Sequence, residues 1–339
     1  MNKSCFLLLF IFVLQIYSCK KSTTGNSSQP SGPNVYVAGA EAGNPAYWKN
    51  DSDWFLTGAF SVSGIYVSGN DVYVAGEVTD GNGAETYYGI TNKAAYWKND
   101  SLVTVSDGST HVQVNSIFVS GNDVYVAGTV AGTVANGFYT FAEYWKNGNP
   151  VMLSDTSQKG EDEANSIFVS GNDVYVAGNG AGLATYWKNG NPVLLSDSSQ
   201  GADANSIFVS GNDVYVAGIQ YGGEFNGAPY YFAEYWKNGN LVMLSDSSQK
   251  GDDEANSIFV SGNDVYVAGK AAGLATYWKN GISVTLSDGF RDATSLYVFG
   301  NDVYVAGTSG SGEPQYWKNG NLVTLSNGGP GSTTSIFVK

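Results

Sequence analysis

Cysteine is almost missing from this chain. Of 339 residues only Cys5 and Cys19 carry a thiol, both ahead of the first repeated phrase, so the folded part uses neither disulfides nor a thiolate centre. Histidine occurs once, at His111, which removes the imidazole that acyl-transfer triads and most zinc sites require. Its plain reading is a solvated surface side chain. Serines are plentiful but have no base to activate them. Basic residues are scarce as well: 16 Lys and Arg face 30 Asp and Glu, a formal charge of −14, with no basic stripe. Such a surface disfavours DNA, RNA and anionic lipid as partners. No Walker loop or dinucleotide fingerprint occurs, because each glycine cluster punctuates a turn rather than leading from a strand into a helix, so no nucleotide is expected. Amphipathic helical runs are absent after Cys19. A fold of about 300 residues nonetheless buries enough core to hold without staples.

What the chain has in excess is repetition. SIFVSGNDVYVAG occurs at 116–128, 166–178, 206–218 and 257–269, with degenerate copies at 64–76 and 295–307. The second half of the phrase stands alone at 34–39 (NVYVAG) and the first half alone at 335–339 (SIFVK). The tyrosine of YVAG falls at 36, 73, 125, 175, 215, 266 and 304, and the tryptophan of YWKN at 48, 97, 145, 187, 236, 278 and 317. These interleave strictly, which defines seven units. Each holds four short segments rich in Val, Ile, Phe, Tyr and Trp, seen plainly at 166–170, 173–177, 185–188 and 192–196; such segments are strands. Gly-Asn separates the first pair and Asn-Gly the second, the two-residue linkers of tight hairpins.

Four antiparallel strands on a period near 44 describe a β-propeller blade. Within DVYVA every side chain after the aspartate is apolar, as a sheet covered on both faces requires. A β-helix has a shorter period and parallel strands, and an open solenoid needs atypical capping units. Neither explains complementary half-repeats at the two ends, whereas a closed ring does. The expectation is an all-β, seven-bladed β-propeller of four-stranded antiparallel blades over 34–338, closed by pairing the C-terminal strand with the N-terminal blade. Closure abolishes the exposed edges along which a linear sheet array would aggregate.

The long link from the fourth strand to the next first strand must cross from rim to axis, so the SIFVS strands line the channel and the PVLLS strands form the rim. One face then carries the tight turns, with Asp71, Asp123, Asp173, Asp213, Asp264 and Asp302 beside the first hairpins and a lysine (Lys49 to Lys318) beside each second hairpin. Turn chemistry accounts for these repeated charges. The other face breaks the repetition. Long loops at 77–94, 129–143 and 219–234 carry Tyr87, Tyr88, Tyr139, Tyr221 and Tyr230, candidates for stacking on sugar rings or anchoring a protein. Phe141 and Phe232, nearer the third strand, read as satellite core. Residues 116–204 and 206–294 match as two-blade blocks, which points to duplication. Carboxylates are the remaining chemistry. Asp80, Asn82 and Glu85, and the acidic links at Glu161, Asp162, Glu163 and at Asp252, Asp253, Glu254, are weak candidates for Ca²⁺, which takes hard oxygen ligands from loops; ordinary solvated loops are the competing reading. A glycosidase pair needs two acids facing each other across a groove, and the sequence singles out no such pair.

Residues 1–18 combine Lys3 with a nearly continuous apolar run from Phe6 to Tyr17, ending in Ile-Tyr-Ser-Cys. The run is short for a membrane span, and the small residue before Cys19 resembles the relaxed lipoprotein cleavage boxes of the Bacteroidetes. That resemblance implies a signal peptide at 1–18, a lipidated (palmitate-bearing) Cys19, a polar tether over 19–33 and anchoring in the bacterial envelope, in the outer membrane. Over 34–338 the YVAG and YWKNG phrases resemble those of secreted bacterial β-propeller lipoproteins. The Gly-His and Trp-Asp pairs of WD40 blades, the double glycines of kelch repeats and the SxDxGxTW box of sialidase-like propellers are all missing, so no catalytic residue carries over. The expected function is noncatalytic binding of an envelope protein or glycan through the variable face. The alternatives are a carbohydrate-active hydrolase or lyase using acids near the channel mouth, and a structural or assembly lipoprotein.

Overall fold

The computed structural model describes residues 32–339 except 51, 80–91, 135–136, 156–159, 198–200, 247, 249, 291 and 326–328. Residues 1–31, on which the expected signal peptide, the lipidation call at Cys19 and most of the expected tether fall, lie outside the described residues, as do Tyr87, Tyr88, Asp80, Asn82 and Glu85. Seven four-stranded antiparallel sheets make up the chain from Asn34 onward. Blade 1 takes 331–338 and 35–55, blade 2 59–104, blade 3 112–152, blade 4 163–194, blade 5 202–243, blade 6 254–290 and blade 7 292–324.

Closure follows the expected register. Val35 lies opposite Val338, Tyr36 opposite Phe337 and Val37 opposite Ile336, and Asn34 and Lys339 exchange backbone hydrogen bonds of 2.6 and 2.9 Å. The first strands of successive blades neighbour one another around the axis, and the fourth strands are largely exposed. The core lies between blades rather than within them. Tyr125 and Ala127 of blade 3, for example, pack against Ile167, Val169, Val176 and Trp187 of blade 4. All seven YWKN tryptophans are buried there, each removing a large apolar surface from water.

A bulge recurs in every first strand, as at Asn165, where pairing skips from Ala164 to Ser166. A bulge turns consecutive side chains out of the strict alternation. Its effect here is to bring Asn165 and Ser166 together beside the axis. Asn165 Nδ2 donates to the Ala204 carbonyl at 3.1 Å and the Ile207 amide donates to Ser166 Oγ at 3.2 Å, both in the next blade. The bulge also explains the glycine of YVAG. A Cβ on Gly178 would strike the Glu163 carbonyl oxygen and the Ala164 backbone, so no larger residue fits opposite the bulge.

One layer closer to the tight turns, Tyr66, Phe118, Phe168, Phe208, Phe259, Tyr297 and Phe337 form a closed ring of seven aromatic contacts, with neighbouring centroids 4.7–5.0 Å apart. Tilted pairs at this separation are favourable beyond their buried area. The collar exists only because the ring is shut, since Phe337 bridges Tyr297 and Tyr66.

Candidate binding face

The tight-turn face is internally satisfied. In blade 4, Lys188 Nζ lies 2.9 Å from Asp173 Oδ2 and 5.2 Å from the Tyr175 ring centroid. Asn189, held at φ 51°, donates to Asp173 Oδ1 at 2.8 Å and accepts from the Val174 amide at 2.8 Å. Hydrogen bonds from Lys188 and Asn189 hold the Asp173 carboxyl below its usual range. The same unit recurs in blades 2, 3, 5, 6 and 7. In blade 1 Asn34 takes the aspartate's place and accepts from Asn50. Each of these aspartates is therefore committed to tying the two hairpins of its own blade together, as turn chemistry requires, while Lys49 of blade 1 lies over the Tyr36 ring at 5.4 Å.

Among the described residues the opposite face is shaped by two tall hairpins. In blade 5 the second and third strands run on to Phe225 and Ala228, with a bulge between Tyr221 and Gly223. Tyr221 lies opposite Tyr231 and meets it edge-on at 5.9 Å. Tyr230 packs edge-on against Phe232 at 5.4 Å. Adjacent strand residues project to opposite sides, so Tyr221 and Tyr230 occupy opposite faces of the hairpin. Gly222 is forced by this packing, since a Cβ there would enter the Tyr230 ring. Lys250 Nζ sits 5.0 Å from the Phe225 ring and 5.6 Å from the Tyr230 ring. Tyr221 and Phe225 remain 38% and 48% exposed. Phe232 is half-buried under Tyr230, and Phe141 in blade 3 packs onto the core between blades 2 and 3, as satellite core should.

In blade 3 Tyr139 lies opposite Gly132 and lines a pocket of about 370 Å³ with His111, Gln113, Thr140, Glu161 and Glu163. Two of the acidic candidates serve the fold. Asp162 accepts from the Ala181 amide at 2.7 Å and Asp253 from the Ala272 amide at 2.8 Å, each steadying a hairpin alanine at positive φ. Asp252 and Glu254 pair with Lys270 at 2.8 and 2.9 Å. Among the described residues no group of three or more His, Cys, Asp or Glu side chains is disposed to hold a metal ion.

Sequence reasoning missed two acids. Glu143 and Glu234 occupy the third-strand position just before YW, where blades 4 and 6 carry Thr185 and Thr276. Both glutamates are buried, Glu234 to 1% exposure. Burial pushes each carboxyl up to about 7, with Asp107 adding to the effect at Glu143. The signal available was the contrast of AEYW with ATYW at a position where the neighbouring alanine is always interior.

No protein-family model and no curated protein matches the chain. Among solved structures, the β-propeller domain of the Trilobed protease from Pyrococcus furiosus is similar at 11% identity and a TM-score of 0.46, covering 81% of this chain and 85% of that one. AztD from Citrobacter koseri is similar at 10% identity and a TM-score of 0.40, over 91% and 98% of the two chains. A Trypanosoma rangeli sialidase mutant displaying trans-sialidase activity is similar at 9% and 0.43, over 81% of this chain and 53% of that one, so this chain spans about half its length. At such distances no residue's role passes from those proteins to this one.

Proposed function

We propose that the chain is a noncatalytic binding module of the bacterial envelope, taking a polysaccharide on the face that bears the long hairpins of blades 3 and 5. The observation that supports this reading most is the blade 5 hairpin. Its exposed Tyr221 and Phe225 stand beyond the blade, among glycines that keep the surface open. Rings presented this way stack on the apolar faces of sugars at little entropic cost. Titration of the full chain with soluble glucans, xylans and pectins should give a saturable change in intrinsic fluorescence with at least one of them. Tyr221→Ala and Tyr230→Ala should each weaken that affinity about tenfold, some 1.4 kcal/mol. Unchanged affinity in both variants would refute the aromatic reading. Release of reducing ends or unsaturated products would favour the hydrolase or lyase instead, and retention of an envelope protein without glycan binding would favour the protein partner or an assembly role.

The lipid anchor is part of the same proposal. Labelled palmitate should enter the wild-type chain expressed in a bacterial host and be lost with Cys19→Ser. Equal labelling of the two would remove the anchor.

A further inference from the structure

Between blades 4 and 5, on the rim of the variable face, lies a crevice of about 360 Å³ walled by Leu195, Asp197, Gln220, Trp236 and Leu241 and lined also by Glu234. Glu234 and Trp236 are two residues apart on one strand and so face the same side, toward blade 4, where Trp236 joins the interblade core. Glu234 Oε2 is buried without a hydrogen-bond partner. An unpaired buried carboxylate oxygen costs on the order of a few kcal/mol, which marks a site awaiting a donor. Among the described lining residues the only other charge is Asp197, a second acid, and none is basic. An indole wall beside two carboxylates suits an organic cation, and the chain's charge of −14 draws cations toward it. Blade 4 offers an internal contrast. Its matching crevice, also about 360 Å³, has Thr185 in the glutamate's place, and the Thr185 hydroxyl is satisfied by the Leu183 carbonyl at 2.9 Å.

We propose that the blade 4–5 crevice binds a primary ammonium group through Glu234 Oε2, with Trp236 and Asp197 flanking it. The crevice shares no lining residue with the rings of Tyr221, Phe225 and Tyr230, so either reading survives the failure of the other.

The test uses butylamine, with butan-1-ol as its neutral isostere, in calorimetric titrations of the full chain carrying Glu143→Thr, which removes the other buried acid at this register. Butylamine should bind saturably with about one equivalent and butan-1-ol should not. Adding Glu234→Thr, which installs the residue that blades 4 and 6 already carry, should weaken butylamine binding at least tenfold while near-ultraviolet circular dichroism stays unchanged. If that variant misfolds, Glu234→Gln keeps the shape and should show the same loss. Binding should also tighten about tenfold from pH 6 to pH 8 as the glutamate ionises. Absence of saturable butylamine binding would overturn the proposal. So would equal binding of the alcohol, or full affinity in a folded Glu234→Thr or Glu234→Gln variant.

Discussion

Deleting residues 331–339 is expected to abolish cooperative folding rather than to trim the molecule. That segment supplies the first strand of blade 1 and pairs with 35–41 along its length. Ile336 and Val338 are 4% and 1% exposed, and each contributes about 1.5–3 kcal/mol by leaving water. The deletion also removes Phe337 from the aromatic collar and leaves the blade 7 hydroxyl of Ser295 without the Ile336 amide it accepts. Tyr36, Ala38 and Gly39 would then present an open edge that invites pairing with other chains. The combined loss is on the order of 10 kcal/mol, comparable to the whole stability of a typical domain. Thermal unfolding of the truncated chain followed by near-ultraviolet circular dichroism should show no cooperative transition, together with aggregation. A transition within a few degrees of the parent would mean the ring does not depend on its last strand.

A second large effect concerns pH. Glu143 and Glu234 start from a model-peptide value of 4.5 and are pushed up to about 7 by burial in the folded chain. Between those values the folded state binds more protons than the unfolded one, so stability falls as pH rises through that window and levels off above it. Each glutamate contributes a loss of about 3 kcal/mol. Glu41 and Glu163, raised chiefly by burial, act in the same direction. The aspartates of the tight-turn face act oppositely. Their carboxyls are lowered by lysine and asparagine, so their contribution is present above the ordinary aspartate value and vanishes only in more acidic solution. Stability should therefore peak near pH 4 to 5, with a Tm at pH 5 about 10 °C above that at pH 8. The double variant Glu143→Thr, Glu234→Thr should lose most of that slope and be the more stable protein at pH 8. An identical slope in parent and variant would show that these two carboxyls are not the titrating groups.

Much of the architecture was legible because it rests on patterns that repetition amplifies. Seven YVAG tyrosines and seven YWKN tryptophans count the blades, Gly-Asn and Asn-Gly place the hairpins, and the half-phrases at the ends announce closure. The long link between fourth and first strands also sets which strand faces the axis. The bulge at Asn165 and its equivalents was not legible, since an extra residue in one strand leaves no mark until its partner is aligned. The YVAG glycines consequently looked like turn residues, although Gly178 is needed for the close approach of the Glu163 carbonyl.

The candidate site was harder to read. Asp162 and Asp253 looked available because their partners, the amides of Ala181 and Ala272, are backbone groups that no side-chain pattern reveals. Sequence reasoning missed Glu143 and Glu234 for the opposite reason. Charge is normally a sign of exposure, and only their place between buried Ala142 or Ala233 and the YW pair betrays the interior. Tyr221 and Tyr230 read as one aromatic cluster in sequence, whereas strand alternation sends their rings to opposite sides of the hairpin.

Amide hydrogen exchange at the two chain ends tests closure most directly. If 35–39 and 335–338 form the inner pair of blade 1, their ladder amides should be protected as strongly as those of 174–177 in blade 4 and should open only with global unfolding. Exchange of either end at rates typical of a frayed strand, while 174–177 stay protected, would contradict the closed ring.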